Sequence, residues 1–361
     1  MKILWLNHRD PKHPNSGGSE IRIREIGKRL VQNGHSVKLV CERWPGSKKS
    51  EFLDGIEIER VASKYSIHLK VPFLLNMADY DFVIDDIAHA IPWESQFFTN
   101  KCVIAQVHHV HQEVLKFELN PLLARIIGIS EKTIKYYNRI IAVSESTKNA
   151  LINDLGVSGN KIKIITNGID VAHYRPSTKA SSPTILWVGR VKRYKRVDHV
   201  LLAFNLIFKQ IPNAELIIAG NGDYLENIKK VAGNLHLPNV IFTGAVDEQK
   251  KVSLMASSWV TVSSSLTEGW GMTITESAAC GTPAVAYDVA GLRDSIRNNE
   301  TGLLASDGNV NALAQAILQV LQDNQLRETL SKNASRSAKE FSWDKVAKEF
   351  IDFLASTNNR R

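Results

Sequence analysis

The sequence predicts an α/β protein of two domains, each a parallel sheet covered by helices on both faces. Three observations predict it. Short β-rich runs alternate with helical patterns, the signature of parallel strands joined by crossover helices. The alternation breaks once, at the Pro/Ser/Thr/Lys-rich stretch Arg175–Pro183, and then restarts. The 361 residues fit two domains of about 150 residues each.

In the first half, Lys2–Asn7 reads as a strand. Ser19–Asn33 reads as a helix with Ile21, Ile23, Ile26 and Leu30 apolar, stopped by Gly34. Ser36–Cys41, Phe82–Ile84, Cys102–Val107, Arg139–Val143 and Ile162–Ile165 are further strands, the last followed by the turn Asn167-Gly168. In the second half, Thr184–Val188, Glu215–Ala219, Val240–Thr243, Trp259–Ser263 and Pro283–Tyr287 read as strands. Val197–Gln210, a segment at Glu276–Cys280, Val310–Asp323 and Trp343–Ala355 read as helices. No 20–50-residue repeat interrupts the pattern.

Composition narrows the class. Apolar residues make up 43% and charged residues 23%, as in ordinary globular proteins. No apolar run approaches the roughly 18 residues a membrane span needs. Met1–Asn7 is too short for a signal-peptide core, so no leader is expected. Cys41, Cys102 and Cys280 are widely spaced, which fits neither a disulfide framework nor a metal cluster and points to a reducing cytoplasm. The net charge of +8 suits nucleic acid, an anionic membrane or phosphate-bearing substrates, or mere solubility. No helix-turn-helix, zinc-finger or RNA-binding aromatic pattern is present, so nucleic acid is not an expected partner.

Three constellations carry chemistry. Asn15-Ser16-Gly17-Gly18-Ser19-Glu20 joins the first strand to the first helix, where adjacent glycines and free helix N–H groups suit a phosphate; a plain tight turn is the alternative. Gly189-Arg190-Val191-Lys192-Arg193-Tyr194-Lys195-Arg196 follows the strand Thr184–Val188, and loops at carboxyl ends of parallel strands are where α/β sheets bind ligands. Its cations offer phosphate both planar forks and point charges. Glu268-Gly269-Trp270-Gly271-Met272-Thr273-Ile274-Thr275-Glu276 places two carboxylates around a glycine-rich turn; carboxylates accept hydroxyl donors of ribose and sugars.

With Asn167-Gly168-Ile169-Asp170, Gly220-Asn221-Gly222, Gly281-Thr282-Pro283-Ala284-Val285, Thr301-Gly302-Leu303-Leu304 and the closing Phe341-Ser342-Trp343, these motifs run in order along nearly the whole chain. So arranged, the sequence resembles the family 4 retaining glycosyltransferases of the GT-B fold. The resemblance implies two Rossmann-like domains facing a deep cleft. They would be an acceptor-side domain at 1–176 and a donor-side domain at 183–340, with a terminal helix at 341–361 packing back on the first. It implies a hexose-type sugar moved from a UDP- or GDP-linked donor to an acceptor hydroxyl with retention. No metal is expected, the nucleoside-diphosphate sugar being the co-substrate.

The implied roles are specific. Arg190 and Lys195 clamp the diphosphate, which Gly189 and the close approach of Gly17 and Gly18 help to cradle. Glu276 binds ribose hydroxyls and Glu268 the transferred sugar, with Gly269, Trp270, Gly271 and Met272 completing the donor loop. His108 matches the family's histidine after the strand Cys102–Val107; where Asp usually follows, this chain has His109, which leaves two imidazoles for the acceptor side. Metal binding by His108, His109 and His111 is disfavoured, because adjacent residues on an extended segment point apart. Asp85 and Asp86, at a carboxyl strand end, are read as lining the acceptor side. Asp79-Tyr80-Asp81 spells the metal-binding Asp-x-Asp pattern but precedes its strand, and reads as a turn.

Lys64–Leu75 and Leu115–Lys135 mix basic and apolar residues. They are read either as helices packed on the sheet or as a peripheral contact with anionic lipid at the cytosolic face, which suits a lipid-linked, glycan or simple sugar acceptor. The rival functions are a sugar-nucleotide epimerase or phosphorylase of the same fold, and a sugar-nucleotide-binding protein without turnover.

Overall fold

The computed structural model describes residues 1–64, 66–77 and 79–358. The chain divides into two compact units, Met1–Gly168 joined by the helix Trp343–Asn358, and Ile169–Ser342. The division falls ahead of the Arg175–Pro183 stretch, which belongs to the second unit.

The first unit holds strands β1 (Lys2–Leu6), β2 (Ser36–Glu42), β3 (Ser50–Leu53), β4 (Ile56–Ala62), β5 (Phe82–Ile87), β6 (Cys102–Val107), β7 (Ile140–Ala142) and β8 (Ile162–Ile164). Their order is β3-β4-β2-β1-β5-β6-β7-β8, parallel except for the β3–β4 hairpin. The sequence reading passed over that hairpin. Its turn is Asp54-Gly55, both at positive φ (50° and 82°), the two-residue geometry that Asp-Gly favours between strands.

The second unit holds β9 (Thr184–Val188), β10 (Glu215–Ala219), β11 (Val240–Gly244), β12 (Val260–Ser263), β13 (Ala284–Tyr287) and β14 (Gly302–Ala305). Their order is β11-β10-β9-β12-β13-β14, all parallel. Strand β14 was known to the sequence reading only as a motif.

Both sheets are doubly wound. The chain starts in the middle, runs to one edge, then returns to build the other side. The direction reverses between β1 and β5 in the first unit and between β9 and β12 in the second. At such a reversal the two following loops leave in opposite directions and open a crevice at the carboxyl ends, where ligands bind. The fold therefore directs attention to the loops after β1, β5, β9 and β12.

Each sheet is buried by its crossover helices, so the central strands are continuous apolar runs such as Phe82–Ile84 and Thr184–Trp187. The terminal helix Trp343–Asn358 closes the first unit. Val346, Ala347, Phe350 and Leu354 recur at helical spacing and are buried. The Phe350 ring stacks on Trp5 of β1, centroids 5.4 Å apart and nearly coplanar. Gly168 admits this helix: a Cβ there would lie 2.9 Å from the Trp343 Cα.

Candidate functional site

In the second unit, the loop after β9 and the loop after β12 meet at the sheet reversal. Lys195 pairs with Glu268, which also accepts from Ser265 Oγ at 2.6 Å. Burial works against the Lys195 ammonium, but Glu268 and Tyr194 outweigh it and hold its pKa above the ordinary value. The pair is a third or less exposed on either side, so it is a fixed charge arrangement rather than a loose surface contact. Arg190 is exposed at the start of the same loop.

Arg196, counted in the sequence among the phosphate-facing cations, turns inward instead. In left-handed conformation (φ 49°), it donates from Nε to Ser264 O and from Nη2 to Ser265 O, each at 2.8 Å, and pairs with Asp307. It staples the post-β9 loop to the post-β12 loop. Ser264 Oγ returns hydrogen bonds to the carbonyls of Lys195 and Arg196 at 2.8 and 2.7 Å.

Glycines set the backbone of this site. Gly220 and Gly222 press against the post-β9 loop; Cβ atoms there would lie 1.8 Å from Gly189 O and 2.0 Å from Val191 O. Gly291 does the same for the Glu268 carbonyl, at 2.2 Å. Gly271, at φ 80°, starts the helix Met272–Ala279. Gly269 and Met272 are half-buried beside it. Trp270 was read as part of the donor loop, but its side chain is 4% exposed and packs edge-on against Phe341.

Glu276 lies inside that helix, 4% exposed. Its Oε2 is 2.9 Å from Lys251 Nζ, which also donates to Tyr174 OH at 2.8 Å; Tyr174 OH in turn donates to Glu248. Burial pushes the Glu276 carboxyl above its ordinary pKa and Lys251 pulls it partly back. Burial likewise opposes the Lys251 charge, but Glu276 and Glu248 raise it overall. The predicted donor residues thus form two groups, Lys195–Glu268–Ser265 and Glu276–Lys251–Tyr174–Glu248. The sequence reading missed Lys251, Tyr174 and Glu248. Tyr174 sits in the stretch before the linker and Lys251 on the helix Glu248–Ser257, and no local pattern singles them out.

In the first unit, Gly17 precedes the helix Gly18–Gln32, and its N–H donates to Glu20 at 2.6 Å. Asp85 and Asp86 require a correction. Strand β5 runs on through both, and both side chains are fully buried, so neither lines an open surface. Asp85 accepts from Ser95 N, Ser95 Oγ and Tyr137 OH at 3.0, 2.6 and 2.6 Å; burial raises its pKa to about 6. Asp86 accepts from Trp5 Nε1, Gln106 Nε2 and His108 Nε2 at 2.9, 2.6 and 2.7 Å. Arg22 Nε completes the chain by donating to Gln106 Oε1 at 3.0 Å. His108 is therefore held from below by Asp86. His109 turns elsewhere, its ring 3.9 Å from that of His111, which bonds Glu131. Among the described residues no group of three or more His, Cys, Asp or Glu has metal-holding geometry. Asp79 and Asp81 bind the side chain and backbone N–H of Lys2 at the amino end of the sheet.

Two sheets that each reverse over glycine-lined loops, with a half-buried Lys–Glu pair at one reversal, define a doubly wound α/β protein of two units. Comparison with known proteins gives the family. Residues 172–337 match "Glycosyl transferases group 1" and residues 16–173 match "Glycosyltransferase Family 4". The chain belongs to the family 4 glycosyltransferases, with the GT-B fold. It is 25% identical to N-acetyl-alpha-D-glucosaminyl L-malate synthase of Bacillus anthracis, over 94% of this chain and 93% of that one. The sucrose-phosphate synthase of Thermosynechococcus elongatus superposes with a TM-score of 0.85 at 21% identity, over 100% of both chains. Anabaena HepE in complex with UDP-glucose gives 0.79 at 20% identity, over 99% of this chain and 100% of that one. No helix among the described residues is long and apolar enough to cross a membrane.

Proposed function

We propose that this glycosyltransferase moves a hexose-type sugar from a UDP- or GDP-sugar to an acceptor hydroxyl with retention of configuration and without a metal. The carrying observation is the Lys195–Glu268 pair at the β9/β12 reversal, with glycine backbone on both sides. A diphosphate offers Lys195 and Arg190 a second anion, and both cations offset the charge that builds as the sugar–phosphate bond breaks. One well-placed donor of this kind is worth roughly 3–4 kcal/mol. Gly17 and Gly18 are assigned backbone contact with a phosphate of the donor, which free N–H groups at the start of the helix Gly18–Gln32 suit. Glu268 binds the hexose hydroxyls, and Glu276 those of ribose. His108 serves the acceptor side, with His109 beside it. The Anabaena neighbour bound to UDP-glucose supports a nucleotide sugar as donor. The acceptor is taken to be a sugar, glycan or lipid-linked saccharide, met at the cytoplasmic face of a membrane with which the protein associates peripherally.

The test is a thermal-shift panel of UDP, GDP, ADP and their sugar conjugates, with and without EDTA. A ligand that binds only the native state raises its melting temperature. A shift from one nucleotide that survives EDTA is the expected result. No shift with any of them overturns the donor site. With an acceptor in hand, the anomeric configuration of the product, read by NMR, decides retention.

A further inference from the structure

Arg22 stands where the first helix calls for an apolar residue. Arg22, Ile26 and Leu30 recur at helical spacing on one face of Gly18–Gln32, and all three are fully buried. Among the described residues the partners of the guanidinium are neutral oxygens. Nη1 donates to Thr166 O at 2.5 Å and to Asn167 Oδ1 at 3.0 Å, and Nε donates to Gln106 Oε1 at 3.0 Å. Nη2 is buried and has no hydrogen-bond partner among the described residues. Burial pulls the Arg22 pKa down to about 10; Asp86, then Glu349 on the terminal helix, offset part of that effect.

A buried cation with no carboxylate in contact is destabilising, and packing alone does not ask for one. An apolar side chain of similar volume often serves such a position equally well or better. The work of the charge is visible at Gln106. Its amide lies between Arg22 and Asp86, taking a guanidinium N–H on Oε1 and donating from Nε2 to Asp86 at 2.6 Å. With a cation on one side and a carboxylate on the other, one orientation of the amide satisfies both, so Arg22 holds a donor of Asp86 in place. Asp86 in turn meets His108 Nε2 at 2.7 Å. The other arm of Arg22 ends on Thr166 and Asn167, just ahead of Gly168, where the chain leaves the first unit. One line of buried side chains, Asn167, Arg22, Gln106, Asp86 and His108, thus runs from the connector to the end of β6.

We propose that Arg22 is a positioning residue, setting the His108 ring through Gln106 and Asp86 and tying that ring to the connector at Thr166 and Asn167. The inference rests on the reading of His108 as an acceptor-side residue for its place in the reaction; the positioning itself is measured without substrate.

The test is NMR of the full chain isotope-labelled at the histidine nitrogens. The ring signals of His108, assigned by their loss in H108Q, are read in the wild type, R22M, R22K, Q106L and R22M/Q106L. R22M is expected to move these signals, and R22K to bring them back toward the wild type. R22M/Q106L is expected to move them no further than Q106L alone, because the two residues act in one line. Hydrogen exchange at the amides of Asn167 and Gly168 is expected to quicken about tenfold or more in R22M. Melting temperatures serve as the control for folding, and R22Q replaces R22M if that variant misfolds. His108 signals that stay in place in folded R22M or R22Q overturn the proposal. So do an R22K spectrum no closer to the wild type than that of R22M, and additive shifts in the double variant. The thermal shift with UDP and GDP is read on the same variants and is expected to persist. Its absence from the wild type would sink the donor site and leave the His108 readout standing, so the two failures are told apart.

Discussion

Asp86 lies 2.7 Å from His108 Nε2 through a hydrogen bond that fixes the orientation of the ring. That is an orienting role, in place of the acceptor contact the sequence suggested. Asp86→Asn is expected to lower turnover roughly tenfold to a hundredfold while nucleotide affinity stays as it was. Equal loss of both, in kinetics and calorimetry, would put Asp86 in the fold alone. Lys251 plays the matching part for Glu276. Lys251→Met leaves a buried carboxyl without its cation, and its pKa rises further. An acid whose folded pKa is raised loses stability as pH climbs through that value, so the variant is expected to lose about 1–3 kcal/mol at pH 8 and recover much of it at pH 5. Denaturant unfolding at both pH values reads this out. His8 works in the opposite sense. Burial, then His68, Arg9 and Lys64, push its pKa down to about 3; His89 and Trp93 complete its surroundings. Protons bound by the unfolded chain are then refused by the folded one, so stability falls as pH drops below 6.5. His8→Gln is expected to lose less stability than the wild type between pH 7 and pH 5, by on the order of 2 kcal/mol.

At the scale of elements, the loops after β9 and β10 lie close enough to demand glycine. Gly222→Ala would set a Cβ 2.0 Å from Val191 O, so the loops must part. It is expected to cost on the order of 2 kcal/mol and to weaken nucleotide binding together with stability. The Gly220-Asn221-Gly222 motif was legible in the sequence because a glycine requirement is local; what it presses against was not. The β3–β4 hairpin was written as plainly, in Asp54-Gly55, and was missed because β3 is too short to show a period. The inward turn of Arg196 had no sequence signal. In a run of five cations, which one is consumed by Ser264, Ser265 and Asp307 depends on where the post-β12 loop arrives.

At the scale of the whole molecule, nucleotide binding is expected to leave a footprint in hydrogen exchange over Gly189–Arg196, the loop 264–271 and the helices Met272–Ala279 and Glu248–Ser257, slowed by about tenfold or more. Protection absent from Glu248–Ser257 would detach Lys251 from the site. The sequence by itself determined the α/β alternation, the doubling of the fold and the glycine and acidic motifs at its strand ends. These rest on periodicity and on backbone requirements that a few neighbouring residues carry. Only the tertiary structure decided what faces what: Lys251 and Tyr174 on Glu276, Asp86 beneath His108, and Arg22 on the buried face of its helix. Periodicity gives a helix or strand its faces, but which face is covered is set by elements far away in the chain.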